Sequence, residues 1–261
     1  MVMNKYYKIN ENLYYVMTAY KDIYTTVYLI RTEEGYLLFD CASFDCDADN
    51  AIAPMLEGVG VKPEELKLVF ISHAHTDHIG GLKRFLELYP NTAVVTKNST
   101  LHEKYPGSSF IRAEEGELLL GNLKVVYIPG HSACSQAILD TRDGTLITGD
   151  CLQLYGIYGS GNWAANISLP REHFAALDKL WEMDINAIYT AHDYHPLGQF
   201  YEGREKVQAA ISACREPLLS IMQMIKDNPD LTDEEIAAMY NAPKTLPKLG
   251  AHVVRNLRAV L

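Results

Sequence analysis

The sequence predicts an α/β protein with a helical region at its C-terminal end. Residues 1–40 contain runs rich in Tyr, Val, Ile, Leu and Thr, which are typical of β-strands. Between residues 47 and 200, short apolar runs alternate with segments of helical periodicity, as in chains that alternate strands and helices. From Tyr201 to Leu261 the periodicity is helical. We therefore expect one α/β domain over residues 1–200 and a helical region over residues 201–261.

The first predicted elements are three strands and a helix. The strands cover residues 12–19, 25–32 and 35–42, with turn signals at residues 21–22 and 33–35. A helix is expected next, from Asp47 to Gly58, because four apolar side chains have the spacing of one helical face: Ile52, Met55, Leu56 and Val59.

The middle of the chain continues with strands separated by helices. The run LKLVFIS, residues 66–72, is continuously apolar, as expected of a strand buried on both faces. A helix follows, with Leu82, Phe85, Leu86 and Tyr89 on one face. Further strands are predicted at residues 93–97, 122–131, 135–150 (with a hairpin turn at Asp143-Gly144) and 186–193, and a helix at residues 171–183. The C-terminal helices are expected at residues 203–227, 232–240 and 250–261, and Thr232 and Glu235 can form a capping box.

Charge and composition narrow the classes of function. The net charge of −10 and the lack of a basic tract argue against a nucleic-acid surface, since phosphate binding relies on clustered Lys and Arg. Five cysteines without a CxxC pair indicate reduced thiols rather than a disulfide framework. The sequence shows no apolar leader and no apolar run of about 18 residues. We expect a cytoplasmic protein that acts on a small-molecule substrate, binds neither nucleic acid nor membrane, and can form a homodimer.

Potential metal ligands are concentrated directly after the strand at residues 66–72. His73, His75, Asp77 and His78 lie within six residues, between this strand and the next helix. Residues two apart on an extended segment point the same way, so His73 and His75 can reach one cation together. Asp77 and His78, at the start of the helix, can face the same space. This short segment could therefore supply two ligands to each of two cations.

Three more potential ligands follow other predicted strands. His131, Asp150 and His192 each lie at the carboxyl end of an apolar run. In α/β sheets this edge is where ligands bind, so we expect these side chains to join the first group. A site of imidazole and carboxylate ligands without cysteine suits Zn, Fe, Mn or Co better than Ca or Mg.

The sequence resembles the metallo-β-lactamase superfamily. The resemblance rests on the motif HxHxDH, at residues 73–78, followed in order by His131, Asp150 and His192. The resemblance covers roughly residues 10 to 200. It implies an αββα metallo-β-lactamase sandwich with two metals at one edge. It also implies that His73, His75 and His131 hold one metal, that Asp77, His78 and His192 hold the other, and that Asp150 bridges them.

The resemblance extends to several residues near the ligands, each with an alternative. Asp40, in LLFDCA, matches an aspartate that orients a ligand, or it is simply a strand-end turn residue. Tyr155 matches weakly a tyrosine that assists catalysis in lactonase relatives, or it packs under the helical tail. His195 could replace His192 as a ligand, but His192 is preferred because it is expected to end its strand. Cys151, beside Asp150, is interpreted as a small packed residue rather than a ligand.

A site of this kind predicts hydrolysis. Two cations about 3.5–4 Å apart can share a hydroxide, and each lowers the pKa of bound water toward about 7. We expect a dinuclear hydrolase of an ester-type bond (a thioester, a lactone or a related small molecule), in which Asp77, Asp150 and Tyr155 are catalytic. Zinc is the expected metal, with iron or manganese as alternatives. An iron-dependent sulfur dioxygenase and a phosphodiesterase of the same fold are the alternative activities.

Overall fold

The computed structural model describes residues 6–243 and 247–261, and the chain divides into two compact units. Unit 1 comprises Met1–Val126 and Ile138–Thr141, and unit 2 comprises Tyr127–Ala137 and Arg142–Leu261. The helical region predicted for residues 201–261 lies within unit 2, and its separation from residues 1–200 as a domain stays a prediction. The expectation that no leader is present concerns in part residues 1–5, which lie outside the described residues.

Unit 1 is built on a seven-stranded sheet whose strands follow one another in sequence order. The strands are β1 (Tyr7–Asn10), β2 (Leu13–Tyr20), β3 (Ile23–Thr32), β4 (Gly35–Phe39), β5 (Leu66–Phe70), β6 (Ala93–Val95) and β7 (Phe110–Ile111). Strands β1 to β4 pair antiparallel, whereas β4 to β7 pair parallel. The residues after β4 and β5 consequently lie side by side, and the Asp40 amide donates to the carbonyl of Phe70 at 2.8 Å.

The helices of unit 1 bury the faces that their periodicity predicts. They are α1 (Asp45–Asp47), a π-helical stretch (Ala48–Ile52), α2 (Ala53–Val59), a 3-10 turn (Pro63–Glu65), α3 (Thr76–Ile79), α4 (Leu82–Leu88) and α5 (Thr100–Lys104). Ile52, Met55 and Phe85 are fully buried in one core with Leu38 and Val69 of the sheet. Burying such a side chain stabilises the fold by about 1.5–3 kcal/mol relative to exposure. This core fixes the end of β5, where the first group of potential ligands begins.

A six-stranded sheet has the order β13-β12-β11-β10-β9-β8. Its strands are β8 (Leu118–Leu119), β9 (Leu123–Tyr127), β10 (Gln136–Asp140), β11 (Thr145–Ile147), β12 (Ala187–Tyr194) and β13 (Gly198–Glu202). The amphipathic helix α6 (Pro170–Glu182) connects β11 to its parallel neighbour β12, as expected for a crossover connection.

The end of β12 differs from the sequence prediction. The strand continues two residues beyond His192 to Tyr194 and pairs antiparallel with β13 through Tyr194 and Gly198. His192 therefore lies inside its strand, and the expectation that it ends the strand is wrong. Tyr201 and Glu202, which were expected to begin the helical tail, instead belong to β13, because the hairpin with β12 supplies their backbone groups with partners.

The C-terminal helices of unit 2 share an apolar core with the segment that precedes α6. They are α7 (Arg204–Asp227), α8 (Asp233–Asn241) and α9 (Ala251–Arg258). The buried cluster contains Leu218, Ile221, Ile225, Ile236, Val253, Val254 and Leu257 of these helices, together with Ala164, Ala165 and Ile167. The predicted capping box is confirmed, since the Glu235 amide donates to Thr232 Oγ1 at 3.2 Å and the Thr232 amide donates to Glu235 Oε2 at 2.8 Å.

Within residues 6–243 and 247–261, every helix is too short or too polar to cross a membrane.

Candidate metal centre

The first group of potential ligands lies where β5 of unit 1 ends and α3 begins. His73 and Asp77 are buried, His75 is exposed and His78 is fully buried. His73 Nε2 lies 3.0 Å from His75 Nδ1, and His78 Nε2 lies 3.6 Å from Asp77 Oδ2. Donor atoms about 2.1 Å from a tetrahedral cation lie about 3.4 Å from one another. The four side chains thus form two pairs of donor atoms at the spacing of metal ligands.

Asp40 fixes the ring of His78. Its Oδ2 accepts from His78 Nδ1 at 2.7 Å and from Ser72 Oγ at 2.8 Å, and its Oδ1 accepts from the Ser72 amide at 2.7 Å. Burial raises the pKa of Asp40, while His78 and the bonds from Ser72 act to lower it. With Nδ1 donating to Asp40, the Nε2 atom of His78 keeps its lone pair for a cation.

Asp40 is also a turn residue. Its backbone φ of 66° lies in the left-handed region, which Asp tolerates better than most residues. Both interpretations made from the sequence therefore apply to Asp40: the turn after β4 is what aims its carboxylate at His78.

The second group lies in unit 2 and is centred on the Asp150 carboxylate. Asp150 Oδ1 lies 3.1 Å from His192 Nε2, and Asp150 Oδ2 lies 3.7 Å from His131 Nε2. All three side chains are buried. Each carboxylate oxygen thus faces a different imidazole, an arrangement that is compatible with one carboxylate serving two cations.

The main chain around residues 166–169 fixes the ring of His131. His131 Nδ1 donates to the carbonyl of Asn166 at 2.8 Å, so its Nε2 is the nitrogen that faces Asp150. The carbonyl of Gly130 accepts from the amides of Ser168 and Leu169 at 2.9 and 2.8 Å. Sequence reasoning missed Asn166, because a main-chain acceptor leaves no signature in side-chain identity.

His173 explains the glycine that precedes His131. A β-carbon at Gly130 would lie 2.6 Å from the β-carbon of His173, so this close approach requires glycine. Burial lowers the pKa of His173 to about 3, and its ring is therefore neutral at physiological pH. Sequence reasoning also missed His173, which lies on α6 and is distant in sequence from the ligand motifs.

The remaining candidates occupy other positions in unit 2. Tyr155 OH donates to Glu216 on α7 at 2.6 Å, and burial together with that carboxylate raises the pKa of Tyr155 to about 12. The ring of His195 stacks on Tyr158 with centroids 3.5 Å apart. Cys151 is buried, and the groups of potential ligands among the described residues include neither Cys151 nor His195. A catalytic role of Tyr155 stays a prediction.

The donor sets fit divalent transition metals. Five imidazoles and two carboxylates are available, and His78 and His131 each use Nδ1 in a hydrogen bond that orients the ring. Such partners are usual for histidines that hold metals. The imidazole and carboxylate chemistry favours zinc, iron or manganese over calcium and magnesium.

The chain matches known proteins in sequence. A family model described as the metallo-β-lactamase superfamily matches residues 20–192. The chain is 31% identical over 150 residues to a hydroxyacylglutathione hydrolase of Synechococcus sp., which covers 56% of this chain and 57% of that protein. It is 27% identical over 161 residues to the uncharacterized protein YobT of Bacillus subtilis, covering 52% of this chain and 67% of that protein. The chain thus spans about half to two thirds of the length of these relatives.

Solved structures show the same fold. A metallo-β-lactamase family protein of Thermus thermophilus has a TM-score of 0.66 at 18% identity, covering 97% of this chain and 92% of that one. The rubredoxin oxygen:oxidoreductase of Desulfovibrio gigas has a TM-score of 0.66 at 15% identity, covering 97% and 75%. The predicted fold class, a metallo-β-lactamase sandwich with a C-terminal helical region, is confirmed. Because the family model covers most of its length, the chain belongs to the metallo-β-lactamase superfamily.

Proposed function

We propose that the chain is a dinuclear metal-dependent hydrolase that cleaves an ester-type bond in a small molecule. In this proposal the two groups of ligands act as one centre. His73, His75 and His131 would hold one ion, Asp77, His78 and His192 would hold the other, and Asp150 would be shared between them. The observation that carries the proposal is the Asp150 carboxylate, whose two oxygens face His131 and His192 at 3.7 and 3.1 Å.

The chemistry would be supplied by the two ions, which lower the pKa of bound water toward about 7 and polarise the substrate oxygen. Asp150 offsets the repulsion between two dications, and Asp77 adds a second negative charge. Asp40 holds His78, and the carbonyl of Asn166 holds His131, in the orientation needed for binding.

Two of the three buried cysteines, Cys41 and Cys214, are poor thiol nucleophiles. Burial raises the pKa of Cys41, and it raises the pKa of Cys214 to about 12. Since the thiolate is the reactive form, neither side chain is a nucleophile at neutral pH. In this proposal the nucleophile is water activated by the ions that the donor set would hold.

The relatives favour a thioester as the first substrate to test. The Synechococcus relative and one from Francisella tularensis subsp. holarctica, both 31% identical, are named hydroxyacylglutathione hydrolases. A lactone is the second candidate, and iron-dependent sulfur dioxygenase and phosphodiesterase activities are alternatives because they can use the same ligand set. Zinc is the proposed metal, with iron or manganese as alternatives.

The test is to purify the protein without chelator, measure its metal content, and load it separately with zinc, manganese or iron. Each form is then assayed without oxygen on a glutathione thioester, a lactone and a phosphodiester. A separate assay uses glutathione persulfide in the presence of oxygen. We expect two ions per chain and anaerobic hydrolysis with zinc. Activity that requires both iron and oxygen would overturn the hydrolase assignment.

The variant Asp150→Asn identifies the shared ligand. An amide brings no negative charge between the two ions, so this change should remove one metal equivalent and most turnover. The loss of metal affinity should be larger than about 10–100-fold, which is the loss typical when a residue that only hydrogen-bonds to a ligand is changed. Asp178→Asn is the matched control, because Asp178 is an exposed partner of Arg215. Wild-type metal content and turnover in Asp150→Asn would remove Asp150 from the site.

A further inference from the structure

We propose that helix α9 positions the ligand His131 through the segment Ala164–Leu169, with Asn166 and His252 as positioning residues. The inference rests on the proposed function, in which His131 binds a metal. In this inference the C-terminal helices contribute to metal binding by His131, although His131 lies more than a hundred positions earlier in the chain than His252.

The first step is that the segment forms hydrogen bonds with His131 and its neighbour Gly130. The Asn166 carbonyl accepts from His131 Nδ1 at 2.8 Å, and the carbonyl of Gly130 accepts from the Ser168 and Leu169 amides at 2.9 and 2.8 Å. The hydrogen bonds thus run in both directions between residues 130–131 and residues 166–169. A displacement of the segment would therefore turn the imidazole of His131.

The second step is the attachment of the segment to the C-terminal region. His252 Nε2 lies 3.0 Å from Asn166 Oδ1, and Asn256 Nδ2 donates to the carbonyl of Ile167 at 3.1 Å. The Ala164 amide donates to the carbonyl of Lys248 at 3.1 Å. The apolar side chains of the segment also share one core with Val253, Val254 and Leu257 of α9.

The third step is that the backbone around the start of the segment adopts an intrinsically unfavourable conformation. Trp163 and Ala165 have φ angles of 72° and 44°, in the left-handed region that L residues with a β-carbon rarely adopt. Such conformations persist where surrounding contacts determine them. In this proposal the contacts with α9 supply that support and keep the Asn166 carbonyl in place.

Asn166 is the residue that joins these steps. Its carbonyl oxygen accepts a hydrogen bond from His131 Nδ1, and its side-chain oxygen accepts one from His252 Nε2. Removing the side chain of either partner breaks the same link while leaving the carbonyl present. The two changes should consequently have equal effects that do not add when they are combined.

The experiment measures zinc binding by competition with a chromophoric chelator in His252→Ala, Asn166→Ala and the double variant. We expect the affinity for one of the two zinc equivalents to fall about 10-fold, by the same factor in all three proteins, with the other equivalent unchanged. The variant His252→Gln, which keeps a donor at the end of the side chain, should restore much of the loss. Arg255→Ala is the control, because Arg255 is an exposed residue of α9 whose partners are Asp233 and Glu234.

A second measurement follows His131 directly in the metal-free protein. The Nδ1–H signal of His131 in ¹⁵N-histidine spectra, assigned with His131→Gln, should weaken or shift in His252→Ala and stay in place in Arg255→Ala. Wild-type zinc affinities and an unchanged signal in His252→Ala would overturn the inference, and so would an equal loss in Arg255→Ala. If the wild-type chain bound zinc but hydrolysed nothing, the proposed activity would fail while the zinc titration still decided this inference. If the wild-type chain bound no zinc, the proposed function would fail and the spectrum alone would decide whether α9 positions His131.

Discussion

At the scale of single residues, the Asp40 carboxylate satisfies three buried donors at once: the Ser72 amide, Ser72 Oγ and His78 Nδ1. In Asp40→Asn one oxygen becomes a donor, so at least one of these groups loses its acceptor. We expect the free energy of unfolding to fall by about 1–3 kcal/mol and the affinity for one zinc equivalent to fall about 10–100-fold. Thermal unfolding and a zinc titration measure the two effects.

The control for that change is Asp47→Asn, because the Asp47 carboxylate also accepts from backbone amides, those of Ser43 and Phe44, through one oxygen. An asparagine there can keep its single acceptor oxygen turned toward both amides. Its zinc affinities should match those of the wild-type chain. Two zinc equivalents of wild-type affinity in Asp40→Asn would show that Asp40 supports the turn without orienting His78.

Residue identity predicted the seven potential ligands, and the family resemblance predicted Asp40 as a group that orients one of them, but neither predicted the Asn166 carbonyl that holds His131. Histidines and aspartates after apolar strands are visible in the sequence because their types and spacing are unusual. The carbonyl of Asn166 is an acceptor that any residue would present, and Glu216 meets Tyr155 across 61 positions of sequence. Contacts of this kind depend on tertiary structure, so a single sequence carries no local signal for them.

At the scale of elements, the end of α3 is held against the turn that follows β4. The Cys41 amide donates to the carbonyl of His78 at 2.7 Å, and the Gly80 amide donates to that of Ala42 at 3.0 Å. A β-carbon at Gly80 would lie 1.8 Å from the carbonyl oxygen of Ser43. The main chains approach so closely that only glycine fits, and this approach places Asp40 beside His78.

The variant Gly80→Ala tests that packing. The added methyl group should push residues 40–44 away from α3, lower the free energy of unfolding by about 1–3 kcal/mol or more, and weaken zinc binding. The control is Gly161→Ala, since a β-carbon at Gly161 meets nothing within 4 Å. Equal stability and zinc binding of the two variants would show that this approach of the main chains has no role in the site.

Periodicity predicted most elements, and the differences have local physical causes. The predicted helix near residues 47–58 begins two residues earlier and contains a π-helical stretch at Ala48–Ile52, which leaves the apolar face intact and so cannot be distinguished by its pattern. Strand β13 was assigned to the helical tail in part, because five residues give too short a pattern to separate from the helix that follows. The structure resolves it through its pairing with β12.

At the scale of the whole molecule, the C-terminal helices complete the core of unit 2. Leu218, Ile221 and Ile236 are fully buried against one another and against the segment Ala164–Ile167. Removing residues 204–261 would expose to water the apolar side chains of the segment that pack on these helices. Each Å² of apolar surface uncovered costs about 25 cal/mol. The same deletion would remove the support of the segment that holds His131.

We therefore expect a chain that ends at Gly203 to aggregate, or to remain soluble only as a partly unfolded protein that binds fewer than two zinc ions. A chain lacking only residues 259–261 is the control, because those residues follow α9 and lie outside its buried cluster. Size-exclusion chromatography, thermal unfolding and metal analysis compare the two proteins with the intact chain. If the protein ending at Gly203 were monomeric, cooperatively folded and able to bind two zinc ions, the tail would be dispensable for the site. If it also kept the same preference between thioester and lactone, the tail would have no part in substrate choice either.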